Sequence, residues 1–285
     1  MACNCCVILS NGRGQAIMLK IRVIPLLLLK GWGLEKGQAF QHHQYIGCAT
    51  NAARVFNNFN VDEIILLDIV ATEASRGAQL KIINDIAAES FMPITVGGGV
   101  RQLADIRALL NAGADRVVIN TAAVETPALI SAAAAQFGSQ CIVVAIDAKR
   151  QPPGGYEVYT HAGRHSTGLD PVAHAQAMER AGAGEILITA IERDGTMQGY
   201  DLELTRQVAD AVSIPVIAGG GAGHPRHFAE AIDRGHASAV AAGAMLVFFG
   251  PRRTVLINYP TERELIQALG AERVRPRDKR GLWWP

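Results

Sequence analysis

Two stretches of this chain are copies of one plan. PITVGGGVRQLADIRALLNAGADRVVIN at 93–120 and PVIAGGGAGHPRHFAEAIDRGHASAVAA at 215–242 align without a gap. Pro93 and Pro215, Gly97 and Gly219, Gly113 and Gly235, and further upstream Glu63 and Glu185, are each separated by 122 residues. Each copy reads as strand, glycine turn, helix, strand. A constant offset over such a length points to an architecture of two like halves, neither of which buries its apolar face alone.

The rest of the chain repeats the same alternation. Short apolar, β-rich runs fall at 22–29, 63–69, 93–97, 116–120, 141–147, 185–190, 215–219 and 238–243, with stretches of helical spacing such as LADIRALLNAGA (103–114) between them. Runs with so little polar alternation suit parallel strands covered on both faces. Eight strand and helix units in about 250 residues predict an α/β fold, a (β/α)8 TIM barrel built from two duplicated half-barrels. A doubly wound sheet is the alternative, and eight similar units strain its usual size. The barrel is expected over 18–260, with a C-terminal helix and basic tail over 261–285. Residues 1–17, MACNCCVILSNGRGQAI, read as a disordered or non-native leader, with Met18 as the expected start.

Composition excludes some function classes. The 285 residues are 49% hydrophobic and 19% charged, with a formal net charge of +1, which gives no electrostatic reason for a nucleic-acid or membrane partner. No run approaches the roughly 18 apolar residues of a membrane span. Of five cysteines, Cys3, Cys5 and Cys6 lie in the leader, while Cys48 and Cys141 stand alone, so neither a disulfide framework nor a paired metal motif is present. A reducing, cytoplasmic setting is expected, with no metal and no cofactor.

The glycine triplets at 97–99 and 219–221 each follow a strand and precede a helix, where backbone N–H groups can approach an anion and the helix start adds partial positive charge. Barrels commonly build a phosphate site from the loops after strands seven and eight. Here that implicates Gly220, Gly221, Ala242 and Gly243, and the repeat implicates Gly98, Gly99, Asn120 and Thr121 across the barrel. Two such sites imply a substrate phosphorylated at both ends, although tight corners alone also call for glycine.

Acids stand at strand ends: Asp68 after LLDI, Asp147 after VVAID, and Asp194 in ERDGT. Strand C-terminal ends converge on one mouth, which makes these acids general acid or base candidates rather than salt-bridge partners. Asp147 ends an apolar run where desolvation can raise its pKa, the alternative being a cap on the next turn. Asp194 and Gly195 are expected to shape the phosphate loop. At the opposite rim Arg22, Glu63, Arg116 and Glu185 begin strand runs, two of each sign, and on the residues alone a stabilising ring is the leading reading.

VGGGVR, GADRVVINTAAVE, FGSQCIVVAIDAKR, YEVYTHAGR, GAGEILITAIERDGTMQGYDLELTR and SIPVIAGGGAG together resemble the cyclase subunit of imidazole glycerol phosphate synthase, over about 19–250. The resemblance implies a lyase-type barrel of histidine, and so amino-acid, biosynthesis. It implies a glutaminase partner in a heterodimer, a bisphosphorylated small-molecule substrate, and ammonia passed through the barrel. It further implies that Arg22, Glu63, Arg116 and Glu185 form the ammonia gate, with Arg116 in place of a lysine, and that Lys36 is the substrate-contacting lysine of the first loop. Asp147 matches the second of the family's two catalytic acids. The first falls on Leu28, which transfers no proton.

LLLLKGWGLEKGQAF, QYIGCATNAARVFN and VFFGPRRTVLINYP resemble instead a diverged branch that serves surface-polysaccharide (lipopolysaccharide) synthesis, where ammonia converts an acetamido to an acetamidino sugar and a sugar amidotransferase is a further partner. Three readings stay open: this branch, a genuine cyclase of histidine biosynthesis, and a noncatalytic scaffold that activates its glutaminase. The isomerase of the preceding histidine step shares the barrel and ranks last.

Overall fold

The computed structural model describes residues 9–10, 16–17 and 20–276. Of the leader, Leu9–Ser10 and Ala16–Ile17 form a two-stranded antiparallel pair; its other residues, Met18 and the tail from 277 onward lie outside the described residues.

Eight parallel strands make the core: β1 (Arg22–Lys30), β2 (Ile64–Asp68), β3 (Ile94–Gly97), β4 (Arg116–Ile119), β5 (Ile142–Arg150), β6 (Glu185–Ala190), β7 (Val216–Gly219) and β8 (Ala239–Ala242). Each pairs with the next and β8 pairs with β1, so the sheet closes on itself. Seven helices alternate with them: α1 (Ala49–Asn58), α2 (Leu80–Ala87), α3 (Leu103–Asn111), α4 (Ala128–Phe137), α5 (Pro171–Ala181), α6 (Leu202–Ala209) and α7 (Pro225–Asp233). An eighth, α8 (Glu262–Leu269), follows the last strand. This is the (β/α)8 TIM barrel expected from the eight apolar runs.

The lack of alternation in those runs has a visible cause. Ile24, Ile65, Val118, Val143, Ala145, Leu187, Ile217, Ala239 and Ala241 point inward and form a cluster of their own. Their neighbours in the strands, such as Val23, Leu27, Ile64 and Val117, point outward into the layer beneath the helices. Both parities are buried, so both must be apolar. Helix ends follow local chemistry: Asp170 accepts the Ala173 N–H at 2.8 Å ahead of α5, Pro171 opens that helix, and Gly182 closes it at φ 103°.

Strand register makes the duplication exact in most places and corrects it in one. Thr95 pairs with Arg116, and Ile217, 122 residues beyond Thr95, pairs with Ala239, which is 123 beyond Arg116. The offset therefore grows by one between α7 and β8. Gly113 takes a left-handed φ of 103° in the first half; in the second that role falls to His236, at φ 56°, and not to Gly235. Ala114 and Ala237 then donate equivalently to Leu109 O and Ala231 O. The ungapped alignment is one residue short from that point onward.

A further pair of features was not legible in the sequence. β1 runs on into an antiparallel hairpin, Gly33–Gln38 with Gln41–Cys48, and β5 into a second, Tyr156–Thr160 with His165–Ser166. They stand at the same place in the two halves and meet above the mouth, where a methyl group at Gly163 would come within 3.0 Å of the Phe40 ring.

Candidate functional site

The four charged residues of the lower rim turn inward and join in a ring. Arg22 Nη1 donates to Glu63 Oε2 at 2.8 Å, and its Nη2 to Glu185 Oε1. Arg116 bridges the same two glutamates from the other side, Nη2 to Glu63 Oε2 and Nη1 to Glu185 Oε2, each at 2.5 Å. Each guanidinium holds both carboxylates, which a single lysine ammonium would do with less geometric definition. Thr95, which the sequence reading missed, donates its hydroxyl to Glu63 Oε1 at 2.5 Å. Its position in PITVG, inward beside Val96 outward, was the available signal. The carboxylates are buried, while the Arg22 and Arg116 side chains stay 28% and 21% exposed.

At the mouth Asp147 faces inward, in step with Val143 and Ala145. Asn120 Nδ2 donates to Ala145 O at 3.0 Å and to Asp147 Oδ2 at 3.2 Å. Burial raises the Asp147 pKa to about 7, the negative charge of Asp194 adds to the rise, and the Asn120 hydrogen bond opposes it. A carboxyl of that strength exchanges protons near neutrality. Beside it in register stands Thr189, another inward residue missed at first, two positions beyond Leu187.

Register also fixes the counterpart of Asp147 in the first half. Asp147 pairs with Thr189 and Leu28 with Leu67, and Thr189 lies 122 residues beyond Leu67. Leu28 thus occupies the position related to Asp147 by the internal two-fold, buried beside the inward-facing Leu26 and Leu67. One wall of the mouth is apolar and the other polar.

From the sequence, Asp68 and Asp194 are strand-end acids rather than salt-bridge partners, Asp194 with the further expectation of shaping the phosphate loop; the structure corrects the first point, because both are salt-bridge partners. Arg76 takes both Asp68 oxygens, at 2.7 and 3.1 Å, and Asp68 Oδ1 accepts the Val70 N–H at 3.3 Å. Asp194 receives the Lys36 ammonium on both oxygens, at 2.7 and 2.8 Å. The paired cations offset the cost of burying these carboxylates. Lys36 belongs to the hairpin strand Gly33–Gln38 and is 3% exposed, so its charge is spent within the protein.

The glycine turns stand at the mouth in both halves. Gly98 has φ 119°, and a Cβ there would meet Asp68 O at 2.4 Å; Gly221 has φ 116°, and a Cβ would meet Gly199 O at 2.2 Å. Only glycine fits either place. Gly99 and Gly220 complete the turns. Gly195, at φ 73°, lies under Gly37 of the first hairpin. Asn120 and Gly243 each precede a one-turn helix, Thr121–Glu125 and Ala244–Val247. The corrected offset makes Gly243 and Ala244 the counterparts of Asn120 and Thr121. Ala242, expected in the phosphate loop, is instead a buried strand residue paired with Pro25. The Thr121 hydroxyl lies 3.3 Å from Asn120 Oδ1 and accepts the His161 N–H at 3.3 Å.

Among the described residues no group of three His, Cys, Asp or Glu side chains is arranged to hold a metal ion, and no helix is long and apolar enough to cross a membrane. What is arranged is a closed floor, a barrel and a mouth with one acid poised near neutrality. The model of the histidine biosynthesis protein family matches residues 22–250, from the first residue of β1 past the last strand, and the chain belongs to that family.

Proposed function

We propose that this barrel is the ammonia-accepting, cyclase-like synthase subunit of a complex with a glutaminase, in the branch that serves acetamidino-sugar formation in surface-polysaccharide synthesis. The observation that carries the reading is the floor. Two arginines and two glutamates, from β1, β4, β6 and the entry to β2, close the barrel end with no net charge, a seal suited to a small neutral species entering from a partner below. An isomerase working alone has no use for such a seal.

Within the mouth, Leu28 argues for the diverged branch over the histidine-pathway cyclase. Cyclisation asks for two acids, and loss of one such group costs on the order of 10²-fold or more in rate. The apolar wall of Leu26, Leu28 and Leu67 offers a neutral molecule little reason to acquire a proton on its way upward. Asp147, with its pKa near 7, is the observation that favours the second reading, a working cyclase. On either reading the Gly98–Gly99 and Gly220–Gly221 turns hold phosphate groups.

The test is direct. Purified protein given the bisphosphorylated ribulosyl aminoimidazole carboxamide and excess ammonium salt should form no imidazole glycerol phosphate, and Leu28→Asp should begin to do so. Turnover by the unaltered protein at an ordinary enzymatic rate would transfer the assignment to histidine biosynthesis. Glutaminase activation that survives Asp147→Asn while no acceptor is ever aminated would leave only a scaffold.

A further inference from the structure

The two glycine turns share a backbone and differ in the charges set around it. At the exit of the first, the Arg101 N–H donates to Asp105 Oδ2 at 2.9 Å and the Gln102 N–H to the same oxygen at 3.1 Å. At the exit of the second, 122 residues on, the Gly223 N–H donates to His227 Nδ1 at 3.1 Å. One bond is kept in both halves, with a carboxylate accepting it in the first and an imidazole in the second. An imidazole that accepts at Nδ1 carries its proton on Nε2 and is neutral. Burial lowers the His227 pKa, Glu230 opposes the fall, and Arg226 and His224 add to it. Two more matched positions differ in the same sense. A Cβ on Gly99 would meet the Ala71 Cβ at 2.9 Å, whereas one on Gly221 would meet the Arg193 Cβ at 3.2 Å. Arg193 is half-buried, and its side chain makes no ion pair among the described residues. The one-turn helix of the first half ends in Glu125, which lies 3.6 Å from His161 Nε2; at the corrected offset its counterpart is Phe248, over whose ring Arg253 lies at 4.5 Å. Arg101, matched by Gly223, runs the other way, but it is exposed and its Nη2 donates to Ser75 O at 3.2 Å.

We infer that the second turn is the dominant phosphate site, with Arg193 as its anion-binding side chain and His227 as a neutral positioning residue. A small molecule with one phosphate then binds in one orientation, its phosphate on the second half. The inference deepens the functional reading and rests on it in one respect, that the turns hold phosphate. In both halves a glycine turn leads into a nine-residue helix, α3 or α7, whose first N–H groups carry partial positive charge. In the first half Asp105 sets a full negative charge against that end, Glu125 adds another, and a dianion brought there is repelled. In the second half the matched positions hold no acid. Arg193 brings a guanidinium, whose planar fork suits a phosphate, and Arg226 and Glu230 on α7 are of opposite sign. Holding the Gly223 N–H takes an acceptor, and His227 supplies one without opposing an anion.

The two turns can be followed separately in the full chain, by the amide ¹H–¹⁵N shifts of Gly98, Gly99, Gly220 and Gly221 during titration with inorganic phosphate and then with glycerol 3-phosphate. Gly220 and Gly221 should saturate at concentrations about tenfold below those for Gly98 and Gly99 with either probe. Arg193→Met and His227→Asp should each weaken the second turn by about tenfold and leave the first unchanged. The carboxylate of His227→Asp has a place to sit, since Asp105 makes the same bond in the first half, so a loss there reports charge and not a failed fold. His227→Asn, a neutral acceptor, should keep the affinity of the unaltered protein, and Asp105→Asn should strengthen the first turn. Equal saturation of the two turns, an unaltered second turn in Arg193→Met or His227→Asp, or a loss in His227→Asn as large as in His227→Asp overturns the inference. Phosphate at neither turn defeats the phosphate reading and the inference with it, whereas equal binding at both leaves that reading standing.

Discussion

Among the side chains paired in register inside the barrel, the first half supplies three of the four charges at the floor, while at the mouth the acid comes from the second half. Arg22, Glu63 and Arg116 come from β1, from the entry to β2 and from β4, while the second half adds only Glu185 to the ring. At the other end the order reverses: Leu28 and Leu67 face the mouth from the first half, Asp147 and Thr189 from the second. Two copies of one plan thus differ at both ends, in the charges of the floor and in the acid of the mouth. The scaffold is symmetric and the chemistry is not.

The largest effect that would test this division is at Asp147. Its pKa rises from 3.8 to about 7 on folding, so between those values the folded chain holds a proton that the unfolded chain has released. Stability attributable to this group is therefore lost as pH rises from about 4 to 7, by up to about 4 kcal/mol. Asp147→Asn should escape that loss. Urea denaturation from pH 4 to 8 should show the two proteins diverging with rising pH, and parallel curves would place Asp147 in an ordinary solvated setting.

A somewhat smaller effect belongs to the floor. Glu63→Ala leaves Arg22, Arg116 and Thr95 without their shared acceptor and should cost about 3 kcal/mol, measured by the same method at neutral pH. A loss below about 1 kcal/mol would mean that the ring is a solvated rim. Next come the turns that both halves keep alike. Gly99→Ala and Gly221→Ala, at matching places in the repeat, should each cost about 2 kcal/mol or more, and by similar amounts, since a Cβ would meet Arg76 O at 2.3 Å in one and Gly199 O at 2.2 Å in the other, each at a left-handed φ. Markedly unequal losses would break the equivalence of the two turns. Smallest of all are the surface pairs of α2 and α6: Lys81→Ala and Arg206→Ala, which remove i to i+4 pairs with Asp85 and Asp210, should each change stability by no more than about 0.5 kcal/mol.

Much of the architecture could be read before any coordinates, and the failures share one origin. The apolar runs marked all eight strands to within a few residues, because a strand buried on both faces leaves few positions for polar side chains. The run at 141–147 was cut short at Asp147, whereas β5 continues to Arg150, since residues beyond the barrel wall lose the apolar signature. The ungapped repeat failed at His236, where a residue other than glycine adopts a left-handed φ and no compositional mark shows it. Asp68 and Asp194 were recognised as strand-end acids, yet their partners Arg76 and Lys36 were not. The first lies in an irregular loop eight residues on, and the second sits 158 residues away on a hairpin that crosses the mouth.

By itself the sequence determined a closed parallel barrel, its duplication and the four charges of the rim, because each of these depends on residue type and periodicity along the chain; that a first acid falls on Leu28 came from the family resemblance alone. Only the tertiary structure decided that the rim charges meet as one ring, that Lys36 is spent on Asp194, and that Leu28 stands in register where a carboxylate would complete a pair with Asp147. Those facts depend on distances between residues far apart in the chain, and closure of the barrel is what brings them together.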